Sequence, residues 1–403
     1  MWRTKNLEEL CDIQSGLWKG KKEPFTKALV LRNTNFTAAG IFDYSDVIEL
    51  DVEAKQLAKR EVIKNDIILE KSGGGDKKPV GRVCIHDKDS EIPFSFSNFT
   101  ARIRVLNREE LDAHFLHKFL HFLYLSGKTE PMQRHSTGIR NLQLAQYKDI
   151  EVPLPPLAEQ QRIVAKLDAA FAEIDSAIEL IEEQQGNTEK LKASLLDASL
   201  EGDDALCQAV KLGDALSIAR GGSPRPIKSF ITDADDGVNW IKIGDTSQGG
   251  KYIESTKEKI KPSGISRSRY VNTGDFLLSN SMSFGRPYIL KTDGCIHDGW
   301  LVLSDYEKIF TADYLYYLLS SAVVQNQFEK LARGSTVRNL NTELVSSVVV
   351  SVPPLAEQQR IVAKLDVAFA EIDTVFAATT MAKENYTALK SAILTQALQP
   401  PKQ

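Results

Sequence analysis

The chain has 403 residues, of which 42% are hydrophobic and 26% charged, and its formal net charge at pH 7 is −4. This balance is typical of a globular protein, and the length suffices for two to four domains. No apolar run approaches the roughly 18 residues that cross a bilayer. The first five residues lead into no apolar stretch, so the sequence predicts neither a membrane span nor a secretion signal.

The cysteine pattern excludes a disulfide-stabilised secreted protein. The four cysteines are Cys11, Cys84, Cys207 and Cys295, and none of them forms a Cys-x-x-Cys pair. Four thiols in a chain of this length do not make a disulfide framework. We therefore expect a reducing, cytoplasmic location.

The first predicted domain covers residues 1–152 and mixes strands with helices. Residues 62–69 are typical of a turn that leads into a buried strand, and residues 72–82 of a small, polar, basic loop. Residues 115–124 predict an apolar helix. Residues 1–150 hold 24 Lys and Arg against 21 Asp and Glu, so this part of the chain is mildly basic.

A long helix is predicted within residues 153–204. The pair Pro155-Pro156 marks its start, and Glu159 lies in the first turn, where a negative charge is favourable. Apolar or small residues then recur with a period of 3.5, which predicts a coiled-coil seam: Ile163, Leu167, Ala170, Ile174, Ala177, Ile181 and, after a polar patch, Leu191, Leu195 and Ala198. About 44 residues at ~1.5 Å each give a helix of roughly 65 Å.

The second predicted domain, residues 205–351, resembles the first in its frame and differs in its loops. Residues 271–278 again predict a turn and a buried strand, and residues 279–286 a small polar loop. An apolar helix follows at residues 314–319. A second long helix is predicted within residues 352–403, with a seam at Ile361, Leu365, Ala368, Ile372, Val375, Thr379, Ala382, Tyr386, Leu389 and Ile393.

An internal repeat relates the two long helices. Residues 155–175 and 353–373 match at 20 of 21 positions at an offset of 198. A seam needs only its apolar positions to be repeated, yet polar residues are repeated as well. We therefore expect two copies of one partner to dock on the following residues: Glu159, Gln160, Gln161, Arg162, Lys166, Glu357, Gln358, Gln359, Arg360 and Lys364. The alternative is a pair of ordinary amphipathic helices packed in a core.

This arrangement resembles the DNA specificity subunit of type I restriction–modification enzymes. The resemblance covers essentially the whole chain, and its most specific motif is the repeated PPLAEQQRIVAKLD segment. It implies a fold of two α/β (α+β) target-recognition domains joined by two long antiparallel coiled-coil helices. Each domain is then expected to read one half of a bipartite site in double-stranded DNA.

The resemblance also implies partners and cofactors. Two methyltransferase subunits are expected on the helices, and motor–nuclease subunits in the full complex. S-adenosylmethionine, and ATP with Mg²⁺ for restriction, are expected on those subunits, with no cofactor in this chain. The sequence shows no amino-methyltransferase signature and no complete phosphate-binding loop, so we expect a chain that binds DNA and has no catalytic centre.

The best candidates for DNA contact are Lys and Arg residues in Gly- and Ser-rich loops. They are Lys19, Lys21, Lys22, Lys77, Lys78, Arg82, Arg140, Arg220, Arg225, Lys228, Arg267, Arg269, Arg286 and Arg338. Arg140 and Arg338 occupy equivalent positions of the repeat, which favours phosphate contact over base reading. Trp18, Phe284 and Tyr288 are candidates for stacking on bases, although core packing is the commoner role of aromatic residues.

Two other interpretations remain from the residues alone. His114, His117 and His121 share one helical face, which fits either a zinc site or, as we favour, a half-buried polar face. The whole chain also fits a non-catalytic coiled-coil scaffold whose globular domains bind protein instead of DNA.

Overall fold

The computed structural model describes residues 2–17, 20, 22–75, 78–136, 138–201, 207–247, 249–280, 284–332 and 339–399. The chain forms two compact units, Met1–Ile181 with Met381–Gln403, and Glu182–Thr380. Each unit therefore combines one globular domain with part of both long helices. Within the residues described, no helix is both long and apolar enough to span a membrane.

The first unit contains twelve strands within its described residues. They are β1 Arg3–Asn6, β2 Cys11–Ser15, β3 Phe25–Leu31, β4 Ile48–Glu53, β5 Ile67–Glu70, β6 Ser72–Gly74, β7 Val83–Ile85, β8 Phe94–Phe96, β9 Thr100–Val105, β10 Gln133–Ser136, β11 Ile139–Leu142 and β12 Glu151–Leu154. Its helices are α1 Leu7–Leu10, α2 Ala54–Arg60, α3 Ala113–Leu125, α4 Leu144–Lys148 and the first part of α5 Leu157–Leu200.

These strands form small sheets in the orders β2-β9-β5-β7, β4-β3-β8, β10-β11-β6 and β1-β12. Strands β5 and β7 pair antiparallel, and β3 and β8 pair parallel. Helix α3 covers the β2-β9-β5-β7 sheet, because its apolar side chains, such as Phe115 and Leu120, belong to the same buried cluster as Ile67 and Ile103. The predicted strand after residue 62 and the predicted helix at residues 115–124 are confirmed as β5 and α3.

The second unit repeats this frame, again with twelve strands within its described residues. They are β13 Gln208–Lys211, β14 Ser217–Arg220, β15 Ile231–Thr232, β16 Val238–Ile241, β17 Tyr252–Ile253, β18 Glu258–Ile260, β19 Arg269–Val271, β20 Phe276–Ser279, β21 Pro287–Leu290, β22 Gly294–Ile296, β23 Trp300–Ser304 and β24 Val349–Val352. Its helices are α6 Leu212–Ala215, α7 Ala312–Ser320, α8 Ala322–Ala332, α9 Thr342–Ser346 and the first part of α10 Leu355–Ala397.

The sheet orders of the second unit show the equivalence. They are β14-β23-β20-β21-β17, β15-β18-β16-β22-β19 and β13-β24. Strands β16 and β22 pair parallel, as β3 and β8 do in the first unit. The sequence-predicted strand and helix of this domain are confirmed as β20 and α7. Mixed sheets with helices on one face make both domains α/β in the broad sense that the sequence predicts.

One glycine in each domain marks the same point of the frame. A Cβ at Gly16 would lie 1.8 Å from the carbonyl oxygen of Ser97, and a Cβ at Gly221 would lie 2.1 Å from that of His297. Only glycine permits so close an approach of two backbone segments. Ser97 and His297 are therefore structurally equivalent, although their side chains have nothing in common.

Helices α5 and α10 pack antiparallel, as expected. In the first unit, Ile163 and Leu167 near the start of α5 share a buried cluster with Leu394 near the end of α10. In the second unit, Ile361 near the start of α10 shares a cluster with Leu196 near the end of α5. The start of each helix thus packs against the end of the other, which is the arrangement that a two-fold repeat produces.

The predicted seam is confirmed only in part toward the end of each helix. Leu195, Thr379, Ala382, Tyr386 and Ile393 are buried or half-buried as predicted. Leu191 and Leu389 are 52% and 45% exposed, and Val375 is 43% exposed, whereas Leu196 and Leu394 are buried. Lys390 is half-buried as well, so the positions Tyr386, Lys390 and Leu394 follow one another in two four-residue steps. Such a step shifts the seam around the helix, which a strict 3.5-residue extrapolation misses.

Candidate nucleic-acid interface and partner surface

In the first domain, the structure brings together the loop after β5 and the hairpin that carries the repeated arginine. Arg140 on β11 stands opposite Gly74 of β6 in the strand register, and a Cβ at Gly74 would lie 2.3 Å from the backbone oxygen of Lys78. The Lys78 side chain is exposed. Arg134 on β10 is also exposed and belongs to the same small sheet, but sequence reasoning missed it. Arg134 could have been found from the sequence, because it lies six residues before Arg140 in the same hairpin.

The Arg82 guanidinium is bound within the fold, and the prediction that it contacts DNA stays untested. Its Nε and Nη2 atoms donate hydrogen bonds of 2.8 Å to the two carboxylate oxygens of Glu70, which is 3% exposed. Further bonds run from its guanidinium to the backbone oxygens of Phe36 and Asn33. Every nitrogen of the guanidinium is thus engaged in the fold, and the ion pair neutralises a buried carboxylate.

Lys22 lies apart from the β6 hairpin. It precedes β3, whose first residue, Phe25, pairs with Glu53 of β4, and the side chain of Lys22 is exposed. Four other candidates lie outside the described residues, namely Lys19, Lys21, Lys77 and Arg338, and so does the aromatic candidate Trp18.

In the second domain, three predicted arginines gather around the end of β14. Arg269 Nε donates a 2.8 Å hydrogen bond to the backbone oxygen of Arg220, and Arg220 Nε donates one of 3.2 Å to the backbone oxygen of Asp298. The Arg225 guanidinium lies 3.6 Å from the Asp298 carboxylate, and the Arg225 side chain is 82% exposed. Loop 221–228 and strand β19 therefore present one cationic surface.

Two further candidates extend this surface. Lys228 is exposed in a short 3₁₀ turn, Ile227–Ser229. Arg267 is exposed, and its guanidinium lies 5.5 Å from the centre of the Phe230 ring. Stacking on an aromatic ring holds a guanidinium in place while leaving its N–H groups able to bind phosphate.

Asp298 organises this region, and sequence reasoning missed it. Its carboxylate accepts a 2.6 Å hydrogen bond from Ser223 Oγ, which lowers the pKa of Asp298. Its backbone oxygen also accepts a 2.8 Å bond from Asn280 Nδ2, a buried amide. Asp298 thereby ties the glycine-rich loop after β14 to the end of β20.

The remaining candidates of the second domain belong largely to the interior. Tyr288 is 2% exposed and packs against Trp300, and Phe284 packs against the main buried cluster. Neither side chain is placed to stack on a base, so the commoner core role holds. Arg286 is half-buried, with its guanidinium 5.6 Å from the centre of the Tyr288 ring.

Gln160 and Gln358 do not face a partner, which corrects the prediction for these two repeated residues. Both are fully buried. Gln160 accepts a hydrogen bond from the Asp112 amide and donates to the Glu110 and Pro155 oxygens. Gln358 makes the same three kinds of contact in the second unit, with Thr311, Ile309 and Pro353. Their repetition reflects an identical joint between each helix and its own domain.

Other repeated residues also serve this joint. Asp168 pairs with Lys118 of α3 at 2.7 Å. Its repeat mate, Asp366, accepts a 2.5 Å hydrogen bond from the hydroxyl of Tyr317 on α7. The shared acid therefore meets different partners in the two domains, so part of the repeat identity arises from intramolecular packing.

The remaining repeated polar residues face solvent. Arg162 pairs with Glu159, one turn away on the same helix, and Arg360 pairs in the same way with Glu357. Gln161, Lys166, Gln359 and Lys364 are exposed. In the first unit, Glu159, Arg162 and Lys166 line a groove of about 840 Å³ together with Trp2 and the end of α10. Packing within the domain therefore does not explain why these exposed residues are repeated.

The histidines of α3 are more buried than a polar helix face. His117 is 3% and His121 9% exposed, and their rings stack with centroids 5.9 Å apart. Burial lowers the pKa of His117 to about 3 and that of His121 to about 4. Within the described part of the chain, no group of three His, Cys, Asp or Glu side chains is arranged to hold a metal ion.

Comparison with known proteins agrees with this architecture. The family model described as "Type I restriction modification DNA specificity domain" matches twice, over residues 1–184 and 207–375. The two matches follow the two halves of the internal repeat. The chain belongs to this family.

Characterised relatives are specificity subunits of type I restriction enzymes. The EcoKI subunit of Escherichia coli strain K12 is 24% identical over 92% of this chain and 81% of its own length. The EcoBI subunit of Escherichia coli is 24% identical over 65% of this chain and 60% of its own length. The chain therefore spans well over half the length of each of these two relatives.

Solved structures share the fold. A chain of a type I restriction–modification system, solved to study complex assembly and conformational transition, superposes with a TM-score of 0.78 at 22% identity, covering 99% of this chain and 97% of its own. The specificity subunit HsdS from Thermoanaerobacter tengcongensis gives a TM-score of 0.57 at 22% identity, covering 98% and 96%. Two domains with two long helices are thus the architecture of this specificity-subunit family.

Proposed function

We propose that this specificity subunit reads a bipartite site in double-stranded DNA, with one half read by each domain. The observation that carries the proposal is the cationic surface around Asp298, where Arg220 at the end of β14, Arg225 in the following loop and Arg269 at the start of β19 meet. Arginine provides both phosphate contacts and bidentate contacts to guanine. A domain that recognises a DNA sequence needs a stable fold that holds cationic side chains on its surface.

The two half-sites differ in sequence under this proposal. At equivalent points of the frame, the first domain carries Ser97 and the second carries His297. The first domain offers Lys78, Arg134 and Arg140 on a hairpin sheet, whereas the second offers arginines on a loop beside β19. Different side chains on one frame are expected to read different bases.

We further propose that two methyltransferase subunits dock on the repeated faces of α5 and α10. The exposed residues that recur outside the joint between each helix and its domain support this assignment, and they include Arg162 and Lys166 with their mates Arg360 and Lys364. Motor–nuclease subunits join the full complex. S-adenosylmethionine, ATP and Mg²⁺ bind to those partner subunits. This chain recognises the DNA and catalyses no reaction, and the complex works in the cytoplasm.

The DNA proposal is tested by the salt dependence of duplex binding. A labelled duplex is titrated with the full chain at several salt concentrations, with Arg225→Ala/Lys228→Ala as the variant and Lys308→Ala, an exposed lysine of another loop, as the control. Each lost phosphate contact is expected to reduce the log–log salt slope by about 0.9. Absence of salt-dependent duplex binding in the wild-type chain would favour the protein-binding scaffold instead.

The bipartite site is tested in cells. Methylome sequencing with and without the gene for this chain is expected to reveal one two-part motif whose methylation depends on the chain. A chain with Arg225→Ala/Lys228→Ala is expected to affect only one half of that motif. Loss of an uninterrupted motif would contradict the two-reader proposal.

A further inference from the structure

The second domain contains an open groove beside its cationic surface. Its volume is about 1050 Å³, and its walls come from residues 223–231, the strands β16 and β18, and the turn after β22. In the second domain the 3₁₀ turn Ile227–Ser229 and strand β15 precede β16. Residues of this segment form much of the groove.

The floor of the groove is apolar. It is built from Pro224, Pro226, Ile227 and Ile231 and is backed by the buried Trp240. His297 also lines it, and burial lowers the pKa of this imidazole, which favours its uncharged form. A flat, uncharged floor of this kind suits an aromatic ring system.

The rim of the groove is cationic. Arg225 and Lys228 are exposed on it. The Arg225 guanidinium approaches the Asp298 carboxylate only to 3.6 Å, so it can still bind a ligand. The two acids of the lining are already satisfied. Glu258 pairs with Lys242 at 2.6 Å, and Asp298 accepts a hydrogen bond from Ser223. The groove thus combines net positive charge at its mouth with an apolar interior.

We propose that this groove receives a single unstacked nucleotide of a DNA strand, with the base on the apolar floor and the flanking phosphates on Arg225 and Lys228. The inference rests on the proposed function and deepens it, because it assigns recognition of an extruded nucleotide to the second domain. A base held on an apolar surface gains binding energy without base-specific hydrogen bonds. Unstacking costs least where the base is already unpaired.

Charge complementarity favours a nucleotide over a peptide segment. An apolar peptide would leave the two rim cations without partners, whereas a nucleotide carries its anionic groups on either side of a flat base. The same chemistry exists in a free mononucleotide, so the test includes that source as a separate arm.

The experiment compares two labelled duplexes of one sequence, one fully paired and one with a single bulged thymidine. Affinity for the full-length chain is measured by fluorescence anisotropy. The wild-type chain is expected to bind the bulged duplex about 10-fold more tightly, within the range of base-stacking contributions. Ile231→Trp places a larger side chain on the floor, where the base would lie, and is expected to abolish this preference while leaving paired-duplex binding unchanged.

A second variant and a control keep the result interpretable. Ile227→Ala removes part of the floor without filling the groove, and it is expected to reduce the preference several-fold even if Ile231→Trp does not fold. Lys308→Ala is expected to retain the full preference. Melting temperatures establish that each variant used is folded.

Each other outcome overturns the inference. Equal affinity of the wild-type chain for the two duplexes refutes it while leaving the duplex-reading function intact, and a bulge preference that survives in folded Ile231→Trp refutes it as well. Binding of thymidine monophosphate to the groove without any bulge preference identifies a free-nucleotide site instead. If neither duplex binds, the proposed function fails together with the inference.

Discussion

Lys192 on α5 contacts Asp373 on α10, with Nζ and Oδ1 2.6 Å apart, and Lys390 makes the same contact with Asp175 at the same distance. The second pair is the first one moved by the repeat offset of 198 residues with the helices exchanged. Each lysine Nζ also lies 4.9 Å from the centre of a phenylalanine ring. The ring is Phe369 for Lys192 and Phe171 for Lys390. The repeat thus supplies both halves of a reciprocal contact.

Reversal of the charge on Asp373 is expected to weaken the second unit. Asp373→Lys places two cations together, and Lys192→Asp/Asp373→Lys restores the attraction. Because the side chains are 38% and 65% exposed, the coupling is expected to be about 0.2–1 kcal/mol. Restoration stays incomplete, since Asp at position 192 cannot interact favourably with the Phe369 ring. A double-mutant cycle from denaturant unfolding measures the coupling, and a coupling of zero would show that the pair is incidental.

Truncation of Gln160 is expected to destabilise the joint between α5 and its domain. Gln160→Ala leaves the Asp112 amide and the Glu110 and Pro155 oxygens without a partner in the interior. The expected cost is about 2–3 kcal/mol in the free energy of unfolding. Its exposed neighbour supplies the control, because Gln161→Ala is expected to change the free energy by less than about 0.5 kcal/mol. Similar losses for the two variants would contradict this account.

Charge changes on the exposed repeated face are expected to reduce partner binding without loss of stability. Lys166→Glu is expected to remove one of two methyltransferase subunits from the complex, and Lys364→Glu the other. The double variant is expected to bind neither. Mass measurement of the assembled complex gives the stoichiometry, and unfolding midpoints within error of wild type establish that the fold is intact. Retention of two subunits by the double variant would place the partner surface elsewhere.

Acidification is expected to destabilise the first unit through the buried histidines of α3. Burial lowers the pKa values of His117 and His121 from 6.5 to about 3 and about 4. Between these values and pH 6.5 the unfolded chain binds protons that the folded chain does not, so stability falls as pH falls below about 6.5. Each histidine contributes a slope of up to about 1.4 kcal/mol per pH unit. Unfolding of His117→Leu/His121→Leu at pH 4.5–7 is expected to show a correspondingly flatter profile, and an unchanged profile would exclude these residues as the cause.

The repeat and the identity of its main elements were predictable from sequence. The near-identical segments at residues 155–175 and 353–373 indicated two long helices, and the family resemblance implied their antiparallel arrangement. Apolar runs also located α3 and α7, because burial of a helix on a sheet requires a continuous apolar face. These features depend on local periodicity, which the sequence records directly.

The roles of single polar residues were not predictable in the same way. Arg82 follows a loop whose composition is typical of DNA binding. Its guanidinium nevertheless binds the buried carboxylate of Glu70, twelve residues earlier. The sequence predicts that Gln160 faces solvent, but the fold brings the Asp112 amide against it. Asp298 has no distinctive sequence neighbourhood, and its role depends on contacts with Ser223 and Asn280.

The sequence by itself determined the two-fold plan, because a repeated apolar and polar pattern dictates repeated helices and a repeated joint. Only the tertiary structure decided which repeated residues are left over for a partner, since hydrogen bonding in the interior removes Gln160 and Gln358 and leaves Lys166 and Lys364 exposed. It likewise decided which arginines form a surface. Whether a charge stays in water or pairs in the interior depends on groups that are distant in sequence, and local pattern carries no information about them.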